Sequence, residues 1–578
     1  MKTLNTHLIS VLTTVLLIVG LLLIGCAPKK VIEQKQPSKP KIEKPFVPTV
    51  PLTTTKGLAV TAHPLASQVA AKILKSGGNA ASAGLAGMAA LSVVEPHASG
   101  LGGGGFALYY DAKAKTVGLV DYRETAPRGV VADTFYQPTD TFRLRLQTGG
   151  SAVLVPGAPK GWQRVWEKYA NRSVTDLLQP AIVLADSGYP TSAKQKTMIL
   201  EHEDLSENET LASLYFSRDD DLKVVPHGKI QFKALAETYR ELAKMNSFAA
   251  LSSPPFSSSI VATVQKAGGA LSLDDMEQFR PIERKPLHIR YRGYDIYTLP
   301  MPSAGGVAVA LAMRMLEQTD IQKLGWQSPE LLHTVAEAIR QGMTDGYVWG
   351  GDPDYVTVRT DSILGDNYVK SAWARIPQDS TRERAAPYDT ATSHGNTTHL
   401  VVADDEGNLL SVTQSINYFF GSKVFNPATG VLLNNHCADY DWRPGRRNSI
   451  APGKRPSSWM APLIVLKDGK PFLVAGTPGG PRIPAVMVQL LVDLIDFGMP
   501  LNQAMDAPRF MPNGKNFEYE PRFPAATIAA IEKKGWKLKA REPGDNYFGG
   551  AQAILFQSDG SKVGVGDTRR DGSPSAAE

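Results

Sequence analysis

An α+β fold, or more specifically a layered αββα architecture, is the fold class that the sequence predicts. Helical patterns alternate with strand-like patterns from Lys56 onward, and such a mixture is typical of helices packed on sheets. No internal period of about 20 to 50 residues is visible, which argues against a repeat protein. Of the 578 residues, 43% are apolar and 20% are charged, as in ordinary globular proteins.

The individual elements follow from local patterns. Residues 65–75 (LASQVAAKILK) form an amphipathic helical pattern that ends at a glycine pair, and 80–94 form an Ala-rich helical pattern suited to close packing. Residues 106–110 and 116–120 are apolar and β-branched, which predicts a hairpin. Further helices are predicted at 161–169, 175–188 and 329–348, and a strand at 472–475.

Charge and cysteine content exclude several classes of protein. The net charge of +6 comes from 62 basic and 56 acidic residues, too weak a balance to indicate a nucleic-acid partner. Two cysteines, Cys26 and Cys437, cannot form a disulfide framework or a zinc-ribbon or iron–sulfur site. The spacing of His399, His436 and Cys437 fits no standard metal motif. We therefore expect no metal and no cofactor.

The glycine run at residues 102–105 invites comparison with a phosphate-binding loop. It lacks the Lys and Ser or Thr that follow in such loops. Glycine also permits close backbone approach, so this run predicts tight packing beneath a site.

The N-terminus has the pattern of a secretory signal. Lys2 precedes an almost uncharged run over residues 8–24, which ends in the sequence LIGC at Cys26. This ending resembles a bacterial lipoprotein box with lipid on Cys26. An uncleaved membrane anchor is the alternative, because the run is near the lower length limit for a spanning helix.

The next segment predicts a tether. Residues 26–55 are rich in Lys, Pro and Thr and poor in apolar side chains, as in a semi-extended linker. Ala27 stands where an inner-membrane retention signal usually has Asp. The expected location is therefore a membrane surface on the periplasmic side, with the outer membrane favoured, or the extracellular face.

One internal boundary, which we call the seam, divides the chain after residue 56 into two segments near residue 390. Residues 376–396 are polar and loop-like, and they lead into a strand, an acidic Gly-Asn turn and a second strand beginning at Leu409. An exposed loop that precedes a buried hairpin is a place where backbone cleavage is tolerated.

Thr397 stands at this seam. A threonine at a chain N-terminus can use its own α-amine, with a reference pKa of about 7.7 to 8.0, as the base for its hydroxyl. The same hydroxyl can first attack the peptide carbonyl just upstream and so free the amine. A threonine at the start of a strand is by itself an ordinary β-forming residue. The surrounding sequence therefore has to show whether Thr397 is a nucleophile.

That pattern resembles the γ-glutamyltransferase family of self-cleaving N-terminal-nucleophile hydrolases. The resemblance is carried by residues 396–421 (NTTHLVVADDEGNLLSVTQSINYFFG) and extends over roughly residues 56–578. The other motifs are GGGGF at 102–106, DYRETAP at 121–127, VPG at 155–157, PSAGG at 302–306, GDPD at 351–354, LLNN at 432–435, KRP at 454–456 and TPGG at 477–480.

The resemblance implies a four-layer αββα sandwich built from two chains after self-cleavage between Asn396 and Thr397. Residues 1–25 are then the signal peptide, 26–55 the tether, 56–396 the large subunit and 397–578 the small catalytic subunit. It also implies transfer of the γ-glutamyl group of glutathione, or a related amide, to water or to an amino acid or peptide acceptor. The two chains stay together as a heterodimer.

Roles for individual residues follow from the same resemblance. Thr397 is the nucleophile, Ser415 hydrogen-bonds it, and the backbone N–H groups of Gly479 and Gly480 stabilise the oxyanion. Arg123 holds the donor α-carboxylate through its planar fork. Asn417 and Asp439 hold the donor α-amino group.

Three departures from the family leave alternatives open. The family has adjacent serines that touch the donor carboxylate; here they align either as Ser457-Ser458 or, without a gap, as Ser458-Trp459. His436 replaces a Gln or Glu near the α-amino group, which weakens ammonium binding or makes it depend on pH. The segment from Asp439 to Lys454 is short, which predicts an open cleft.

The alternatives to a γ-glutamyltransferase are a glutaryl or cephalosporin-type acylase, a poly-γ-glutamate hydrolase, and a non-catalytic tethered solute-binding lipoprotein.

Overall fold

Two seven-stranded antiparallel sheets pack face to face and carry helices on both outer faces in the computed structural model. The structure describes residues 45–135, 145–218, 224–381, 396–441 and 443–578. The order of layers is helix, sheet, sheet, helix, which confirms the predicted αββα sandwich.

We name the two sheets by the order of their strands. Sheet I runs Ser573–Ala576, Leu58–Thr61, Thr398–Ala403, Leu409–Ser415, Gly104–Asp111, Thr116–Asp121 and Ile282–Arg284. Sheet II runs Leu52–Thr54, Lys562–Gly566, Gln552–Phe556, Lys470–Gly476, Leu463–Lys467, Tyr294–Thr298 and Leu287–Tyr291. Both sheets combine strands from each side of residue 396, so both predicted subunits contribute to each sheet.

Smaller elements complete the fold. Three short two-stranded sheets pair Phe425–Asn426 with Val431–Leu432, Tyr189–Pro190 with Lys229–Ile230, and Phe216–Arg218 with Val224–Pro226 in the described part of the chain. A three-stranded sheet contains Phe510–Asn513, Asn516–Tyr519 and Lys537–Ala540.

The α-helices of the described residues are Pro64–Lys75, Ala80–Val94, Ala158–Tyr169, Val174–Ser187, Ala193–Leu200, Glu209–Tyr215, Lys233–Lys244, Phe256–Lys266, Leu273–Gln278, Ala304–Leu316, Ile321–Leu324, Pro329–Trp349, Thr360–Leu364, Asp366–Ala374, Ile483–Leu491, Leu501–Asp506 and Ala525–Lys533.

Alternation of side chains along the third strand of sheet I explains the layering. In Thr398–Ala403, Val401 and Ala403 belong to the core shared with sheet II, whereas Leu400 and Val402 belong to the core under the N-terminal helices. Successive side chains of a strand point to opposite faces. A strand that is apolar at every position therefore needs a layer on each side.

The predicted elements before the seam are confirmed. Helix Ala80–Val94 has the predicted bounds, and Gly104–Asp111 pairs antiparallel with Thr116–Asp121 as the predicted hairpin. The helix predicted at 161–169 begins earlier, at Ala158, because Pro159 is tolerated in a first helical turn.

The glycine run packs as tightly as predicted. A Cβ on Gly103 would lie 2.1 Å from the Ser415 carbonyl oxygen, and one on Gly105 would lie 2.3 Å from the Thr413 carbonyl oxygen. The run therefore lies directly against the strand Leu409–Ser415. A side chain at either position would push that strand away.

Part of the predicted tether lies against the body. Leu52–Thr54 pairs with Lys562–Gly566 as the edge strand of sheet II, and the Thr49 N–H donates to the Asp506 carboxylate at 3.0 Å. The β-branched Thr53 and Thr54 suit a strand, although the composition around them is that of a linker. The predicted signal peptide, the first part of the tether and Cys26 lie outside the described residues. No helix in the described part of the chain is long and apolar enough to cross a membrane.

Candidate active site

Thr397 immediately precedes the third strand of sheet I, Thr398–Ala403, and is buried. Its Oγ1 donates to the carbonyl oxygen of Asn396 and lies 3.3 Å from Ser415 Oγ. Ser415 Oγ donates to the same carbonyl oxygen at 2.7 Å. The strand register pairs Thr398 with Gln414, which places Ser415 beside Thr397. The peptide bond between Asn396 and Thr397 therefore carries two hydroxyl groups at its carbonyl.

Hydrogen bonds to both its backbone and its side chain hold Asn396 in place. Its N–H donates to the Asn417 carbonyl oxygen at 2.7 Å, and its Nδ2 donates to the His97 carbonyl oxygen at 3.3 Å. Its Oδ1 accepts from the Thr397 N–H at 2.9 Å and from Arg570 Nη1 at 2.5 Å. The residue before Thr397 is therefore held by hydrogen bonds from both its backbone and its side chain.

Arg570 is a site residue that the sequence analysis missed. Its Nη1 also donates to the Thr397 carbonyl oxygen at 2.9 Å, so it spans the Asn396–Thr397 bond. Burial lowers the pKa of Arg570 to about 10, which leaves it protonated at neutral pH. Ser573–Ala576 joins the edge of sheet I two strands from Thr398–Ala403, and this pairing brings a distant arginine to the seam. No local pattern in the sequence signals that approach.

Glu95 contacts the residue that follows Thr397. It accepts a hydrogen bond from Thr398 Oγ1 at 2.5 Å. Burial raises the pKa of Glu95 to about 7, against the opposing charge of Arg570. Thr398, which follows Thr397, is therefore anchored through its hydroxyl group.

Arg123, Asp439 and Asn417 are brought together, as the resemblance implies. Arg123 is fully buried and pairs with the Asp439 carboxylate. Asn417 Nδ2 donates to the other Asp439 oxygen at 3.1 Å. The Asn417 N–H in turn donates to Ser415 Oγ at 2.7 Å. One hydrogen-bonded chain thus runs from the Thr397 hydroxyl to the Arg123 guanidinium.

The hydroxyl groups of Ser457 and Ser458 differ in their hydrogen bonds. Ser457 Oγ is buried and has no hydrogen-bond partner in the described part of the chain, while its carbonyl oxygen accepts from Arg123 Nη2 at 3.2 Å. Ser458 Oγ accepts from the Met460 N–H at 3.1 Å. Trp459 stacks on Tyr347 with ring centroids 6.1 Å apart. Of the three positions, Ser457 has the hydroxyl best placed to bind a ligand beside Arg123.

His436 lies between two carboxylates. Its Nδ1 is 2.8 Å from Glu124 Oε1, and its Nε2 is 4.0 Å from Asp439 Oδ2. Glu124 also contacts Arg123 Nη1 at 3.3 Å. The sequence analysis quoted Glu124 within a motif and gave it no role. The contact arises because the turn His436–Asp439 packs against the segment that follows Thr116–Asp121.

Gly479 and Gly480 follow the sheet II strand that packs across Thr398–Ala403 of sheet I. In this strand, Lys470–Gly476, a Cβ on Gly476 would lie 2.2 Å from the His399 ring. The φ angles of Gly479 and Gly480 are +137° and +57°, where glycine is strongly preferred. Their role as oxyanion donors stays a prediction.

His399 is a packed strand residue. Its Nδ1 lies 2.9 Å from Thr413 Oγ1, and burial lowers its pKa to about 3. It is therefore neutral and enclosed between the sheets. No group of three or more His, Cys, Asp or Glu side chains suited to a metal ion occurs among the described residues.

The short segment after Asp439 is tied down beside the site. Asn448 Nδ2 donates to the Asp439 carbonyl oxygen at 2.7 Å, and Asn448 Oδ1 accepts from the Ser457 N–H at 2.9 Å. Lys454 Nζ donates to the Arg447 and Ser449 carbonyl oxygens. The Asp439 side chain stays 25% exposed, so the carboxylate is open to a ligand.

Comparison with known proteins gives consistent matches along most of the chain. Residues 66–577 match the family model described as gamma-glutamyltranspeptidase. The glutathione hydrolase proenzyme of Bacillus subtilis strain 168 is 33% identical over 538 residues, covering 89% of this chain and 90% of the relative.

Two acylases are also similar. The acylase ACY 1 proenzyme of Pseudomonas sp. strain V22 is 34% identical over 534 residues, covering 91% of this chain and 94% of the relative. The crystal structure of cephalosporin acylase from Bacillus halodurans superimposes with a TM-score of 0.82 at 27% identity, covering 94% of this chain and all of that one.

Proposed function

The chain belongs to the γ-glutamyltranspeptidase family, and on that premise we propose that it is a self-cleaving γ-glutamyltransferase and hydrolase whose nucleophile is Thr397. The observation that carries the assignment is the contact of Thr397 Oγ1 and Ser415 Oγ with the Asn396 carbonyl oxygen. The intact chain is the precursor, and cleavage gives a large chain ending at Asn396 and a small chain starting at Thr397, which form a heterodimer.

Self-cleavage begins when Thr397 Oγ attacks the Asn396 carbonyl carbon. The Ser415 hydroxyl donates to the oxygen that gains negative charge, which lowers the barrier. The C–N bond breaks, the nitrogen takes up the proton lost by the hydroxyl, and an ester joins Asn396 to Thr397. Water then hydrolyses the ester and leaves a carboxylate on Asn396 and a free amine on Thr397.

Turnover uses the same hydroxyl with the new amine as base. The amine accepts the Oγ proton while Oγ attacks the γ-carbonyl carbon of the donor, and the leaving amine takes the proton. Arg123 and the Ser457 hydroxyl bind the donor α-carboxylate. Asp439 and Asn417 bind the α-ammonium. Water or the amine of an acceptor then cleaves the γ-glutamyl ester.

The donor class is tested with a panel of amides. Glutathione, a glutaryl amide and poly-γ-glutamate separate γ-glutamyl transfer from acylase and polymer activity on the same fold. We expect turnover of glutathione to exceed turnover of the glutaryl amide. Turnover of the glutaryl amide alone would favour the acylase alternative, and turnover of none would favour a binding protein.

Replacing Arg570 with glutamine is expected to slow self-cleavage. The substitution removes charge-assisted hydrogen bonds to Asn396 Oδ1 and to the Thr397 carbonyl oxygen. A loss of about 1.5 to 3 kcal/mol corresponds to cleavage about 10 to 150 times slower. The measurement is the uncleaved fraction against time on a denaturing gel. Arg522→Gln, which removes a half-buried pair with Glu520, is the control, and equal rates for both variants would contradict this role.

The proposal extends to the membrane. A basic start, the apolar run at residues 8–24 and the LIGC ending support lipidation of Cys26, with the body held by the tether on the periplasmic side, the outer membrane favoured, or on the extracellular face. Cells fed a labelled fatty acid should label the wild-type protein and not Cys26→Ser. Label retained in Cys26→Ser would contradict lipidation at this residue.

A further inference from the structure

We propose that Phe46 is a positioning residue for self-cleavage, because its ring holds the turn at residues 567–570 that carries Arg570 to the Asn396–Thr397 bond. Phe46 begins residues 46–54, the part of the predicted tether that lies against the body, which we call the strap. The inference rests on the proposed function, since it concerns how the same peptide bond is cleaved. It gives the strap a role in maturation besides that of a spacer.

The Phe46 ring lies in a notch formed by two arginines and a glycine. Its centroid is 3.8 Å from Cζ of Arg522 and 5.3 Å from Cζ of Arg569. A Cβ on Gly544 would lie only 3.3 Å from Phe46 Cδ2, so the ring packs closely against the glycine as well. A guanidinium over an aromatic face is attracted to the ring. The ring therefore stabilises the position of Arg569.

Arg569 in turn fixes the turn from which Arg570 extends. Arg569 is fully buried, and its guanidinium donates to the two oxygens of Glu520 at 2.7 and 2.8 Å. The Arg569 N–H donates to Asp567 Oδ1 at 2.9 Å, and the Arg570 N–H donates to the Asp567 carbonyl oxygen at 3.2 Å. Arg570 is the next residue, and its side chain donates to both residues of the bond to be cleaved. The placement of Arg569 therefore sets where the Arg570 side chain starts.

Two further contacts attach the strap to the same segment. The Thr568 hydroxyl donates to the Val47 carbonyl oxygen. The strap strand Leu52–Thr54 pairs with Lys562–Gly566, which ends directly before Asp567. The strap thus contacts the chain both within the turn and immediately upstream of it.

Replacing Phe46 with alanine in the full-length chain is expected to slow self-cleavage about 2- to 30-fold, the range that corresponds to loss of a cation–π contact. Lys194 Nζ also donates to the carbonyl oxygens of Thr568 and Arg570, so the turn keeps a second support and cleavage is slowed rather than abolished. The measurement is the uncleaved fraction against time after pulse labelling, on a denaturing gel. Phe46→Tyr keeps the aromatic face and should restore the wild-type rate.

A double-variant experiment separates positioning of Arg570 from a general loss of stability. If Phe46 acts through Arg570, Phe46→Ala should cause no further slowing in a chain that already carries Arg570→Gln. A merely structural effect would slow both backgrounds by the same factor. Thr568→Val removes the hydroxyl that donates to the strap with little change in volume. It should slow cleavage in the same background-dependent way, and it decides the question if Phe46→Ala does not fold.

Two controls lie in or beside the strap. Val50→Ala alters a strap side chain that is 78% exposed, and it should cleave as the wild type. Arg522→Gln keeps a planar side chain beside the ring and leaves Arg569 in place, so it should be slowed less than Phe46→Ala.

Two results would overturn the inference. One is wild-type cleavage by folded Phe46→Ala, and the other is equal slowing by Phe46→Ala with and without Arg570→Gln. A wild-type chain that does not cleave itself would instead contradict the proposed function.

Discussion

Replacing Thr397 with alanine is expected to leave an uncleaved chain without γ-glutamyl hydrolase activity. The substitution removes Oγ1, which donates to the Asn396 carbonyl oxygen and is the proposed nucleophile in both processing and turnover. It also leaves the α-amine locked in the peptide bond. Loss of the nucleophile in a hydrolase costs about 10⁴- to 10⁶-fold in rate. A denaturing gel and release of nitroaniline from a γ-glutamyl anilide measure the two effects.

Thr397→Ser is the matched control for this result. Serine keeps the hydroxyl and loses a methyl group, so this variant should cleave itself and turn over the anilide, at a reduced rate. Thr397→Ala should still unfold in a cooperative transition, because the substitution removes few buried atoms. Turnover by an uncleaved Thr397→Ala chain would assign the nucleophile elsewhere.

Replacing Arg123 with alanine is expected to weaken donor binding strongly. The guanidinium is fully buried between Glu124 and Asp439, and it is the proposed partner of the donor α-carboxylate. Truncating one partner of a buried charge pair costs about 2 to 5 kcal/mol, a rise in KM of about thirtyfold or more. The variant also leaves the buried Glu124 and the partly exposed Asp439 without their cation, so a lower unfolding temperature is expected.

KM and kcat for the anilide donor are measured separately, together with the unfolding temperature. These measurements separate weaker donor binding from lower stability. Arg123→Lys keeps the charge and loses the planar fork, so it should rescue the unfolding temperature more fully than the KM. Arg164→Ala removes an exposed pair with Glu283 and should change neither quantity. An unchanged KM in folded Arg123→Ala would remove Arg123 from the donor site.

Much of this fold was predictable because its signals are local. The Ala80–Val94 helix, the hairpin from Gly104 to Asp121 and the strand after Thr397 are each specified by the periodicity of apolar side chains and by the residues that end them. The cluster around Thr397 was predictable in part through motifs. Ser415, Asn417 and Asp439 lie in segments whose resemblance to the family spans many residues, and the structure brings them together.

The rest depends on contacts that no local pattern encodes. Arg570 reaches Asn396 because a strand at the end of the chain joins the edge of sheet I. Glu124 meets His436 only where a turn and a loop distant in sequence pack together. Leu52–Thr54 pairs with Lys562–Gly566 despite a linker-like composition. In each case the tertiary fold, rather than the residue type, defines the role.

The first residue of the small chain is the most direct test of the proposal that Thr397 is both the cleavage point and the nucleophile. N-terminal sequencing of the smaller band from purified, active protein should give Thr-Thr-His-Leu, the sequence that begins at Thr397. Full activity in an unbroken chain, or a small chain that begins at any other residue, would contradict it.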